Sequence, residues 1–127
     1  MDRNAEVVLK FWQMFDEARF DDVAELLYPE CNVYWPNTRE LFKGSQKVID
    51  ANKRYPGRWH IAVVDVVAKN DLVVSVVRVY SNESKHSFYA TSFFKFKNRL
   101  ITEITEYWGE VTEPPAWRIA EGLSETY

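Results

Sequence analysis

LVVSVVRVYSNESKHSFYATSFFKFKNRLITEITEYW, residues 72–108, is the stretch on which the fold turns. Its β-branched and aromatic side chains fall into three runs, 72–80, 87–96 and 100–108. Turn-prone Ser, Asn, Lys and Arg residues separate them. A fourth run of the same kind, 59–68, precedes them across Lys69-Asn70-Asp71. Links this short join neighbouring strands as antiparallel hairpins, because a parallel neighbour needs a long crossover. The second half of the chain therefore reads as a four-stranded antiparallel meander.

Working outward, the first half has another period. Val7, Val8, Phe11, Met14, Phe15 and Ala18 recur at helical spacing, which predicts a helix over 4–19 with Asn4 as its N-cap. A second helix starts at Asp21 or Asp22 and must stop before Pro29. Asn32-Val33-Tyr34-Trp35 reads as a short strand ended by Pro36, and residues 37–43 as a loop. Ser45 is placed as the N-cap of a third helix carrying Val48, Ile49, Asn52 and Tyr55, which Pro56-Gly57 ends. The order α-α-β-α-β-β-β-β implies one α+β domain over residues 1–127. Its helices pack on a strongly curved, mostly antiparallel sheet around an aromatic-lined pocket.

Composition narrows the function. Net charge is −3 without a basic run, which argues against a nucleic-acid surface. No segment approaches the ~20 apolar residues of a membrane span. Cys31 is the only cysteine, and the N-terminus lacks a signal-peptide core, so the expectation is a cytoplasmic protein. With 4 Gly and 2 His there is no metal-ligand spacing, phosphate loop or dinucleotide fingerprint, so no metal and no cofactor is expected.

Strand parity points to the candidate site. On the run 72–80, one face carries Val74, Val76, Arg78 and Tyr80, and the other Val73, Ser75, Val77 and Val79. The second set is uncharged, so the sheet needs cover on both sides, which implies a homodimer through its outer face. Turning Phe94 and Trp108 inward brings Ser92, Ile104 and Glu106 with them, and the same reading sends Arg78 and Tyr80 inward. Arg78 and Glu106 then share an apolar interior, where charges are costly unless paired or used. Two readings stay open: a structural one, in which the two form an ion pair or one of them reaches solvent at the sheet edge, or a catalytic pair in which Glu106 handles a proton and Arg78 orients it. Phe11, Phe15, Trp35, Asn52, Trp59, Tyr80, Ser92, Phe94, Ile104 and Trp108 are the expected contacts for a small apolar ligand.

The chain resembles the SnoaL-like domains of the NTF2-like superfamily, the fold of polyketide cyclases and ketosteroid isomerase. The resemblance rests on Phe20-Asp21-Asp22-Val23-Ala24-Glu25-Leu26-Leu27-Tyr28-Pro29, on Leu41-Phe42-Lys43-Gly44, and on Glu106-Tyr107-Trp108-Gly109 followed by Pro114-Pro115-Ala116-Trp117-Arg118. It implies a cone-shaped fold. It also implies that this is no ketosteroid isomerase, since the positions of that enzyme's tyrosine, base and oxyanion aspartate fall on Phe11, Trp35 and Ser92. Against the epoxide-hydrolase branch, Arg78 and Glu106 resemble two parts of its aspartate–arginine arrangement, with Tyr80 where a second carboxylate belongs. Cyclases of the family use one acidic residue as acid and base, and Glu106 is the matching candidate. The resemblance leaves two functions open: cofactor-free isomerase, cyclase, dehydratase or hydrolase chemistry on a small cyclic or aromatic compound, or a non-catalytic binding or dimerisation module.

Overall fold

The computed structural model describes residues 2–127. Helix α1 (Arg3–Asp16) opens one residue earlier than expected, because Asp2 caps it: its carboxylate accepts from the backbone N–H of Asn4 and Ala5 at 2.8 and 3.1 Å. It also ends earlier, where Ala18 adopts a left-handed φ of 56° that the helix cannot continue. The expected second helix is a single 3₁₀ segment, Asp21–Leu26, with Val23 and Leu26 buried.

Strand β1 (Leu27–Trp35) then runs straight through Pro29. The proline costs no ladder bond, since the β1 pairing is interrupted between Leu27 and Asn32. The presumed loop contains a further strand, β2 (Glu40–Lys43), which folds back antiparallel with Trp35 opposite Glu40. Four residues with charged ends carry little β signal, but they suit an exposed sheet edge. Gly44, at φ 94°, turns the chain into α2 (Ser45–Arg54); a Cβ there would meet the Pro29 carbonyl oxygen at 3.2 Å. Gly44 is thus the cap residue, and Ser45 begins the helix.

The remaining strands are β3 (His60–Lys69), β4 (Leu72–Tyr80), β5 (Ser87–Lys97) and β6 (Leu100–Glu110), followed by a short α3 (Ala116–Ala120). All six strands form one curved, unclosed sheet in the order β2-β1-β6-β5-β4-β3. Every neighbouring pair is antiparallel except β1 and β6, which run parallel. Irregular steps at Val63/Asp65 in β3 and at Thr102 in β6, opposite Lys95 and Phe96, bend the sheet. Its concave side packs on α1 and α2 through Val8, Phe11, Trp12, Phe15, Ile49, Val77, Phe94 and Ile104. Among the described residues no helix is long and apolar enough to cross a membrane.

One expectation about faces fails. The β4–β5 register pairs Tyr80 with Ser87 and Arg78 with Tyr89, so Ser75 and Val77 lie level with Ser92 and Ala90 on the concave side. Val73, Ser75 and Val77 are fully buried, while Arg78 is exposed. Arg78 and Tyr80 therefore stand on the convex face, with the guanidinium 5.1 Å from the Tyr80 ring centre.

Candidate active site: a carboxyl in an aromatic cavity

The concave face of β5 and β6 builds the floor of a cavity of about 280 Å³. Pairing of Ser92 with Glu106, Ala90 with Trp108 and Phe94 with Ile104 sets these side chains in rows across the two strands. Trp35 reaches the same floor from β1. Phe11, Trp12 and Phe15 of α1, Val48 and Asn52 of α2, and Trp59 and Ile61 at the start of β3 supply much of the wall. Tyr55, Trp59, Phe88 and Trp108 follow one another as ring contacts with centroids 5.8–6.2 Å apart.

Glu106 is the one carboxyl among the lining residues described. Its two oxygens are separately held: Trp35 Nε1–H donates to Oε1 at 3.0 Å, and Ser92 Oγ–H donates to Oε2 at 2.8 Å. Burial pushes the Glu106 pKa above the ordinary carboxylate value, and the Ser92 and Trp35 hydrogen bonds pull part of the way back. Among the described residues no Lys, Arg or His makes an ion pair with it. A carboxyl so placed can give a proton as the neutral acid and take one as the anion, which is what general acid–base chemistry needs.

Phe11, Phe15, Trp35, Asn52, Trp59, Ile104 and Trp108 line the cavity as the sequence suggested. Phe94 and Ser92 lie just beneath it, fully buried. Phe94 packs on Phe11 at 5.2 Å, and Ser92 holds Glu106. Arg78 and Tyr80 do not reach it, so an Arg78–Glu106 pair, structural or catalytic, does not exist. Both faces of β4 are apolar enough to be buried, and the links to its neighbours decide between them.

Sequence reasoning left Lys53, Tyr55, Arg58 and Val79 out of the wall. Val79 was recoverable from parity, since it shares a face of β4 with Val77. Lys53 and Arg58 at the mouth carried no such signal. Trp12 presents one side to the cavity and donates its indole N–H to the buried Ser75 hydroxyl at 2.9 Å. Cys31 is fully buried with its thiol pushed up to about 12, by burial first and then by Glu103 and Glu30, so it is no nucleophile at neutral pH. Among the described residues no three His, Cys, Asp or Glu side chains cluster as metal ligands do.

A curved sheet closed by helices over a single acidic group in an apolar hollow defines a class of small α+β pocket domains. Residues 8–104 match the SnoaL-like domain family, and the chain belongs to it. Among solved structures it resembles a protein of Kribbella flavida provisionally assigned as a ketosteroid isomerase. The TM-score is 0.84 at 22% identity, over 98% of this chain and 90% of that one. A provisionally assigned SnoaL-like polyketide cyclase of Jannaschia follows with TM-score 0.72 and 17% identity, over 84% and 85% of the two chains. An LEH-like epoxide hydrolase of M. tuberculosis gives 0.70 and 15%, over 95% and 89%. At such identities the likeness speaks for the NTF2-like fold. No curated protein sequence matches the chain.

Proposed function

We propose that this SnoaL-like domain binds a small, mostly apolar cyclic or aromatic compound and performs cofactor-free acid–base chemistry on it, with Glu106 as the proton-handling group. The observation that supports it is a lone carboxyl, unpaired by any cation among the described residues, facing a hollow walled by four indoles and several phenyl rings. Trp35 and Ser92 replace Arg78 as the groups that orient the carboxyl. Isomerisation, ring closure, dehydration and hydrolysis all fit one group that shuttles a proton across a substrate held in place.

The Glu106→Gln variant tests this reading. It keeps the shape and removes the titrating proton. Turnover of any substrate found should fall at least about a hundredfold, as loss of a general acid–base does. Retained turnover overturns the catalytic half of the proposal and leaves a binding module.

We infer also that a second copy of the chain covers the convex face of the sheet. Val67, Tyr89, Phe93 and Tyr107 stand exposed there, Val67 at 66% and Tyr107 at 50%. An apolar strip on this scale favours a protein partner, and a matching copy brings the same strip. Sedimentation at micromolar concentration should give a dimer; a clean monomer refutes it.

A further inference from the structure

The hydrogen bonds at Glu106 specify what its ligand should offer. An indole N–H can only donate, and the Ser92 hydroxyl donates as well, so both oxygens are met by protons of the protein. Two donors favour the carboxylate, yet no cation of the described chain balances it. A charge removed from water in this way is costly until a partner arrives. The walls supply the other half of the argument: Trp35, Trp59, Phe88 and Trp108 line the cavity, and the faces of such rings attract cations.

The two cations at the mouth are engaged elsewhere. Lys53 Nζ lies 3.1 Å from both carboxylate oxygens of Asp21. Arg58 donates to the backbone carbonyls of Asp16 and Trp59 at 2.6 Å each, which ties the start of β3 to the end of α1. Neither serves as counter-ion to Glu106.

We propose that the ligand is an amine: an apolar ring bearing a protonated nitrogen that pairs with Glu106 and lies against the cavity's aromatic faces. This rests on the small-molecule reading above and names the chemical class of its ligand. The ammonium provides N–H donors for the lone pairs that Trp35 and Ser92 leave open on the carboxylate, and its charge replaces the missing cation. A ring with a hydroxyl fills the same space without the charge. A ring with a carboxylate sets like charges together.

Isothermal titration with benzylamine, benzyl alcohol and benzoate separates these cases at neutral pH. Benzylamine should bind at least about tenfold more tightly than benzyl alcohol, and benzoate most weakly. In Glu106→Gln, with its fold checked by near-UV circular dichroism, the amine's advantage should disappear. Trp108→Leu should reduce benzylamine binding more than benzyl alcohol binding. Equal affinity for benzyl alcohol, or preference for benzoate, overturns the amine and leaves the apolar-ring reading standing. If none of the three binds, both fall. Should Glu106→Gln not fold, the unmodified protein's order of affinities decides alone.

Discussion

Two protein donors and the loss of water pull the Glu106 proton in opposite directions, and single substitutions can shift the balance. Ser92→Ala deletes one donor to the anion, so the Glu106 pKa should rise further above the carboxylate range. Infrared titration of its carboxyl band reads this directly; an unmoved midpoint would mean that the hydroxyl does not stabilise the anion. The stability consequence has a definite sign. A folded-state pKa raised above the unfolded one gives stability that is complete below the unfolded value and is lost as pH climbs through the folded value. Glu106→Gln lacks that loss. Its urea midpoint relative to the parent protein should therefore improve as pH rises above the ordinary carboxylate range; a difference that stays flat with pH would show that Glu106 titrates as it does in the unfolded chain. That Glu106 faces the interior was readable from sequence, because β6 places Ile104, Glu106 and Trp108 two apart and one charge between two large apolar groups stands out. Its real partners were not readable. Trp35 lies 71 residues away, and nothing local announces that its N–H reaches Glu106.

The sheet elements show where pattern suffices and where geometry must decide. Strand β4 has the span its composition suggested, 72–80, because Val-rich β-branched runs between turn residues leave little alternative. Which side of it faces the core was misread. Valines occupy both faces, so the burial pattern is ambiguous until the six residues between β4 and β5 set the register. Strand β2 was missed for the opposite reason, since it is too short and too charged to show a period. Ser75 offers a test at this scale, as the anchor by which α1 holds β4. Ser75→Ala leaves the buried Trp12 N–H without its acceptor and should cost about 1–3 kcal/mol in denaturant unfolding. A loss well under that range would mean that Trp12 finds another partner.

Over the whole molecule, the unequal treatment of the two sheet faces links pocket and partner. The concave side encloses the cavity, while the convex side leaves Tyr89, Phe93 and Tyr107 in solvent. Tyr107→Glu, on the convex face and next in sequence to Glu106, should turn a dimer into monomers by sedimentation. It should do so without changing the near-UV signal of the buried tryptophans; a dimer that survives would place the contact elsewhere. The parallel pairing of β1 with β6 has a temporal consequence. Residues 27–35 can pair with β2 as soon as residues 40–43 are made, but they gain their second neighbour only when residues 100–110 have been made. Until then the Trp35 indole has no carboxyl to reach. Long-range pairings of this kind form slowly, so the pocket is among the last parts of the protein to come into being during synthesis. A nascent chain halted before residue 100 would carry its N-terminal helix and most of its tryptophans, and no carboxyl for the pocket floor.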